Sequence, residues 1–321
     1  MRSDLRHPPH APHQWHLTDD VDGFLAHAGD FLRSDPVLHT TPLSVTEKLR
    51  TQGPGAYGPK APLFGRLVSD GEVRATFHRL SGGGLSPTAL TPEQADGLAA
   101  HLLSLGYVLP HVTAEESTAN AFAEAWQRRT GATYAPRVRL RLNRLGTLTP
   151  PDPFPAGRGR LVGDSEHEHL MQWCREFAAD VGEDVTIDAD TWAGTRFAEK
   201  HYTYWETPDG TPVSMAGANP LVGGQVRIDP VYTPAHLRGR GYAGAATVEV
   251  SRAALAAGAK EVVLYTNAAN PTSNALYQRV GYVPVAEVVV YDFSYPTGDA
   301  ASNGAAPEVA GSEVAGPDVA G

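Results

Sequence analysis

Apolar residues in this chain switch repeatedly between helical and alternating spacing, and the switches mark out elements. Phe24, Leu25, Ala28, Phe31 and Leu32 recur every three or four residues behind Asp19 and Asp20, which predicts a capped amphipathic helix. A second helix is expected over residues 43–49. In PLFGRLVSDGEVRATFHRL, alternating runs flank Asp70-Gly71, the signature of a hairpin. Thr91, Pro92 and Glu93 then open a helix ending near Gly106, with Pro in the first turn where a missing N–H is harmless. A strand over 107–112 and a helix carrying Phe122, Ala125 and Trp126 to Gly131 come next. Last in this half is TYAPRVRLRLN, a strand with Val138, Leu140 and Leu142 on one face.

TLTPPDPFPAGRGR interrupts the pattern with proline and glycine and reads as a linker over residues 146–160. Beyond it, helices are expected over 167–180 and 188–199 and strands over 202–206, 213–219 and 225–233. A glycine loop, a helix over 242–257, the strand EVVLYTN, the helix PTSNALYQRVG and the strand VPVAEVVVYDF complete the series. A shift of 150 positions lays GYVPVAEVVVYDF over GATYAPRVRLRLN and QRVG over RRTG, so the chain reads as two copies of one fold, 17–145 and 161–295. Residues 1–16 are proline-rich, with His7, His10, His13 and His16 three apart. They read as a disordered leader rather than a metal-binding arm. The tail, 296–321, repeats small and acidic residues (PEVAG, SEVAG, PDVAG) and is also expected to be disordered.

Composition narrows the function. A formal net charge of -10 opposes sequence-independent nucleic-acid binding. The single cysteine, Cys174, precludes an intramolecular disulfide. No apolar run is long enough for a membrane span or a signal peptide, so a cytoplasmic location is expected.

The candidate chemistry centres on VYTPAHLRGRGYAG. Gly239, Gly241 and Gly244 clear side chains from a strand-to-helix turn, where free N–H groups and the helix dipole favour an anion, with Arg238 and Arg240 beside it. The same glycines spell a dinucleotide fingerprint. However, Glu261 begins the following strand instead of ending it, and Thr266 and Asn267 stand where a ribose-binding acid is required. No Gly-Lys-Ser/Thr follows, which excludes a P-loop. In the first copy LSPTALTPEQAD stands at the loop's place, so one working site is expected.

The element order and the run Arg238-Gly239-Arg240-Gly241-Tyr242-Ala243 resemble the GNAT acetyltransferases, whose pyrophosphate loop reads Gln/Arg-x-x-Gly-x-Gly/Ala. YTNAANPTSNALYQRVGY is similar to that family's closing segment. The resemblance implies an α+β fold of two tandem GNAT-like domains, each a mixed, mostly antiparallel sheet flanked by helices, the first degenerate. It implies acetyl-CoA as co-substrate, no metal, and an amine of a small molecule or peptide as acceptor, in a monomer or homodimer. The pyrophosphate would lie on Arg238, Gly239, Arg240, Gly241, Tyr242, Ala243 and Gly244. The pantetheine would run along Val231, Tyr232 and Thr233, with Asn267 and Asn270 near it. Tyr277 matches the tyrosine that protonates the departing thiolate, and Gln127 takes its place in the first copy. The general base stays open between Asp229, Glu206 and a water chain. Glu166-His167-Glu168-His169 reads as a polar first turn, because residues two apart on a helix diverge. Cys174 is expected in a core. A catalytically silent acyl-CoA-binding sensor is the alternative from another class.

Overall fold

The computed structural model describes residues 14–181 and 197–296. The first half runs β1 (Gln14–Thr18), α1 (Val21–Ser34), α2 (Thr40–Gln52), β2 (Leu63–Ser69), β3 (Glu72–Arg79), β4 (Leu85–Pro87), α3 (Pro92–Ser104), β5 (His111–Glu115), α4 (Glu116–Thr130) and β6 (Thr133–Leu145). The second runs β7 (Arg158–Leu161), α5 (His167–Val181), β8 (His201–Glu206), β9 (Pro212–Ala218), β10 (Gln225–Tyr232), α6 (Tyr242–Ala256), β11 (Glu261–Asn267), α7 (Pro271–Val280) and β12 (Tyr282–Ser294). The fold is α+β, and its sheet is mixed but mostly antiparallel.

All twelve strands belong to one sheet, in the order β1-β2-β3-β4-β5-β12-β6-β11-β10-β9-β8-β7. The two halves have exchanged their last strands. β12, from the second half, lies between β5 and β6, while β6, from the first, lies between β12 and β11. The pair runs antiparallel from Tyr282↔Leu145 to Ser294↔Thr133. The exchange extends into the cores. Val289, Tyr291 and Phe293 of β12 pack in the first half's cluster with Phe122 and Trp126. Leu140 and Leu142 of β6 pack with Val263 and Tyr265 of β11. Tyr295, just past β12, accepts a hydrogen bond from Trp126 Nε1 at 2.8 Å and donates one to the Leu109 carbonyl at 2.8 Å.

Several expected boundaries move. Residues 14–16 of the expected leader belong to β1, because Trp15 packs on Phe77 (ring centroids 5.4 Å) and the strand zips onto β2 from Gln14↔Val68. The rest of the leader, and the tail from residue 297, lie outside the described residues. The strand expected over 107–112 starts instead at His111, where the ladder to β12 begins with His111↔Asp292. Pro110 has no N–H for that ladder, although its carbonyl accepts from Phe293 N at 2.8 Å. The three-residue β4 carries no readable alternation. The GRGR end of the expected linker is the edge strand β7, paired with β8 from Arg158↔Glu206 to Leu161↔Thr203. A Cβ at Gly159 would come within 2.7 Å of Glu249, so glycine there allows a close approach. The helix expected over 188–199 falls mostly outside the described residues.

Because β12 completes the first half's core, Phe293→Ala should cost about 3 kcal/mol or more in urea unfolding. It should also lower amide-exchange protection in β5 and α4, far away in sequence. Loss of protection confined to residues 161–296 would contradict the exchange of strands.

Candidate functional site

The site starts where two strands part. β10 runs parallel to β11 for only three pairs, Gln225↔Glu261, Val226↔Val262 and Arg227↔Val263. On its other edge the ladder to β9 shifts register between Ile228 and Val231. β11 continues along β6 as far as Asn267↔Leu140. Past Arg227, then, β10 keeps a strand partner on one side only, and a V-shaped gap opens towards β11. Val231 and Tyr232 stand on the unpaired edge, both buried, with Thr233 just beyond. Ser214 Oγ donates to the Tyr232 carbonyl at 3.0 Å and shares a hydrogen bond with Thr233 Oγ1 at 2.9 Å, which fixes this strand end. The Tyr232 hydroxyl donates to Glu176 of α5 at 2.8 Å. Burial first, then that carboxylate, raises its pKa.

At the mouth of the gap the chain makes a single 3-10 turn, Ala235–Leu237, and enters the glycine loop. Gly239 and Gly241 have φ of 76° and 80°, a left-handed conformation that favours glycine. Gly241 is the N-cap of α6 and brings no side chain to its N–H groups. Among the described residues, none accepts a hydrogen bond from the backbone N–H groups of residues 239–244. Six backbone donors are thus left open at the positive end of a 15-residue helix, an arrangement that favours an anion. A Cβ on Gly244 would press on Pro151 at 3.2 Å and Leu276 at 3.3 Å, and one on Gly241 would meet Pro155 at 3.1 Å, so the linker prolines back the loop.

The two arginines behave differently. Arg238 donates through Nε to the Thr233 carbonyl at 2.9 Å and pairs with Asp180 of α5, so it braces the strand end against the helix. Arg240 makes only a 3.4 Å contact to the His236 carbonyl and stands exposed beside the cradle. The corresponding helix of the first half is closed. Thr91 and Gln94 form a reciprocal capping box on α3, Pro92 has no N–H, and Leu90 N donates to Thr118 Oγ1 at 3.0 Å. That arrangement leaves no comparable cradle.

On the other side of the gap, α7 presents Tyr277. Its ring is buried edge-on to Tyr282 (5.9 Å between centroids), and its hydroxyl has no hydrogen-bond partner. Burial raises its pKa most, with Tyr282 and Asp229 adding to the shift, so the phenol keeps its proton at neutral pH. Asn270 and Asn267 end up in local roles: Asn270 Oδ1 caps α7 by accepting from Ser273 N at 3.1 Å, and Asn267 Oδ1 accepts from Ala269 N at 2.9 Å. Asn274, without an assigned role in the sequence reading, ties the corner together. It accepts from Thr266 Oγ1 at 2.6 Å and donates to the carbonyls of Asn267 and Ala268, each at 3.2 Å. Gln127 holds the same place before its C-capping glycine as Tyr277 does, its carbonyl accepting from Gly131 N at 2.8 Å, but the two differ in burial. Gly131 and Gly281 both close their helices in the left-handed conformation, but Gln127 faces solvent and its neighbour Trp126 fills the core.

Of the candidate bases, Glu206 is held by Arg160 Nε at 2.7 Å and Arg158 Nε at 3.4 Å, an ion-pair cluster that also clamps Glu166. Asp229 is buried and pairs with Lys200 through Oδ2, while Oδ1 has no partner. Glu166 caps its own turn by accepting from Gly163 N at 3.0 Å, and hydrogen bonds from Arg160 pull its pKa down to about 2. His169 shares a hydrogen bond with the Tyr204 hydroxyl at 3.0 Å. No group of three or more His, Cys, Asp or Glu among the described residues is placed to hold a metal ion. Cys174 is buried against the Tyr202 hydroxyl at 3.8 Å, a core position. No helix among the described residues is long and apolar enough to cross a membrane.

The strand gap and the glycine loop lie within a stretch that matches a known family. Residues 166–282 match the model of the acetyltransferase (GNAT) family. That stretch of the second half is similar to the GNAT family. Solved structures with the same fold extend the likeness over both halves. A GCN5-related N-acetyltransferase from Sphaerobacter thermophilus superposes with a TM-score of 0.53 at 17% identity, covering 86% of this chain and 94% of its own. A GNAT-family acetyltransferase from Colwellia psychrerythraea gives 0.54 at 11% identity, covering 88% and 100%. A tandem GNAT protein from the clavulanic acid biosynthesis pathway gives 0.51 at 12% identity, covering 87% and 98%. At such identities the likeness is one of fold. No curated protein matches the chain. Acetyl transfer is the activity that the matched family's name carries.

The Arg160–Glu166 pair makes the entrance to this domain acid-sensitive. The carboxyl of Glu166 is depressed from its ordinary 4.5 to about 2 in the folded chain, so the stability it contributes is present above pH 4.5 and is lost as pH falls towards 2. Glu166→Gln should flatten the stability–pH curve over that window in acid titrations followed by circular dichroism, with an unchanged curve counting against the pair.

Proposed function

We propose that the protein is an acetyl-CoA-dependent N-acetyltransferase acting on an amine of a small molecule or peptide. The observation that carries this reading is the run of unpartnered N–H groups over residues 239–244 at the mouth of the strand gap. An anion cradle alone fits many phosphates. A cradle leading into a gap with free strand edges fits a pyrophosphate joined to an amide-rich arm, which is the chemistry of CoA.

In this reading the amides of Gly239, Arg240, Gly241, Tyr242, Ala243 and Gly244 hold the pyrophosphate, with Arg240 free to add charge. Arg238 acts indirectly, by bracing Thr233. The unpaired edge at Val231, Tyr232 and Thr233 binds the pantetheine amides and polarises the thioester carbonyl, an oxyanion-type stabilisation by backbone alone. Asn267 closes the far side, and Asn270 contributes by setting the start of α7. The amine attacks the carbonyl carbon directly in a ternary complex. A C–N bond forms, the C–S bond breaks, and the thiolate takes the Tyr277 proton. A phenol with its pKa raised by burial reaches this step protonated. Glu206, saturated by two arginines, is a poor acceptor for the amine's surplus proton, which leaves to Asp229 or to a water chain.

A second reading, binding without turnover, draws support from the burial of Tyr277, which is only 1% exposed. Release of free thiol from acetyl-CoA across an amine panel separates the two. Amine-dependent release supports the enzyme, whereas tight CoA binding with no such release supports a sensor. In the active protein, Tyr277→Phe should lower kcat roughly 100-fold while leaving CoA affinity nearly unchanged. Wild-type turnover in that variant would remove Tyr277 from the mechanism.

A further inference from the structure

Eight buried side-chain N and O atoms among the described residues have no hydrogen-bond partner, and three of them are Gln225 Nε2, Arg227 Nη1 and Asp229 Oδ1. These residues alternate along QVRID of β10, so their side chains share one face of the strand. It is the face opposite Val226 and Ile228, which pack in the cluster with α6. The row ends where β10 parts from β11, beside the proposed point of acetyl transfer. Two donors followed by an acceptor, all buried and without a protein partner in one row, are costly unless something completes them.

The surroundings fix each group in place without satisfying it. Thr40 of α2 donates to Gln225 Oε1 at 3.0 Å, so the other half of the chain orients that amide. With the Asn219 amide oxygen turned towards the guanidinium, it accepts from Arg227 Nε at 3.2 Å and Nη2 at 3.0 Å, leaving Nη1 directed elsewhere. The neighbouring carboxylates are taken: Asp229 pairs with Lys200, and Glu199 pairs with Lys48 of α2 at 2.9 Å. Tyr57 of the first half and Tyr265, whose hydroxyl lies 3.3 Å from Thr41 Oγ1, stand within electrostatic reach of Arg227. Among the described residues, then, the Arg227 guanidinium at the junction of the halves has no anionic partner.

We propose that this row is the acceptor subsite and that the acceptor is an amino carboxylate. Its carboxylate is received by Gln225 Nε2 and Arg227 Nη1, and its amine is held by Asp229 Oδ1 at the gap. The inference rests on the acetyltransferase reading and adds the substrate class. The polarity follows from the chemistry of the row: an ammonium at Arg227 would meet like charge, and a carboxylate at Asp229 would do the same. Positions two apart on a strand are about 6.6 Å apart, which favours a short chain between the two groups.

The test compares kcat/KM for ω-amino carboxylates of two to six carbons with n-alkylamines of equal length and with phosphoethanolamine. The best amino carboxylate should exceed its alkylamine by about tenfold or more. Arg227→Gln should collapse that ratio towards one through KM, and Arg227→Lys should retain part of it. CoA affinity by calorimetry should stay within about twofold in both variants, showing that the fold stands. A wild-type ratio of one, a preference for phosphoethanolamine, or equal losses for both amine classes in Arg227→Gln would overturn the proposal while leaving the acetyltransferase reading intact. Failure of the wild-type protein to bind CoA would overturn both.

Discussion

The antiparallel pairing of β6 with β12 is the contact on which the rest of the structure depends. Its register contains the reciprocal pairs Val288↔Leu140 and Val290↔Val138, which interchange under the 150-residue offset between the halves. The pairing is thus a local two-fold axis within one chain, the arrangement of an isologous dimer joined by a linker. Each half supplies the strand that the other needs beside its fifth. For the second half that strand is β6, against which β11 lies from Val263 to Asn267 after leaving β10. One wall of the gap is therefore set by a strand from the other half. Asn143 of β6 even donates to Thr266 Oγ1 at 3.2 Å, within the corner that carries α7.

The halves share architecture and differ in what they do with the N-terminus of one helix. In α3, side-chain oxygens and a proline use up the donors; in α6, a glycine leaves them open. The first is the more stable local solution, since a capping box contributes about 1 kcal/mol. The second gives up that stabilisation and keeps a place for an anion. Pro151 and Pro155, packed on Gly244 and Gly241, support the loop from behind without touching its N–H groups.

Local features were legible from the sequence, and long-range ones were not. The glycine loop, α6, α7 and the hairpin at Asp70-Gly71 follow from caps, turns and spacing within a few residues. The strand exchange does not, because alternation in β6 and β12 shows which face is apolar but not which strand lies alongside. β7 was hidden by its composition: alternating Arg and Gly look like linker until Glu206 supplies the charge partner for Arg158 and Arg160. At Asn267 and Asn270 the side chains make local contacts, one to Ala269 N and the other capping α7, which the sequence did not reveal. The row Gln225, Arg227, Asp229 was visible as text, but only the packing of α2 above it shows that three of its polar atoms are buried and unpartnered.

The exchange also has a consequence for how the chain is made. Tyr295 bonds to Leu109 across 186 positions, and Phe293 sits in a core whose members outside β12 emerge much earlier. On the ribosome the first half must therefore wait, with the edge of β5 open and Trp126 uncovered, until the last strand of the second has been released. Contacts of such sequence separation form slowly, and an uncovered strand edge invites association with other chains. The first half is thus the earliest part to be synthesised and among the last to be completed, an interval in which a chaperone would find the β12-shaped opening.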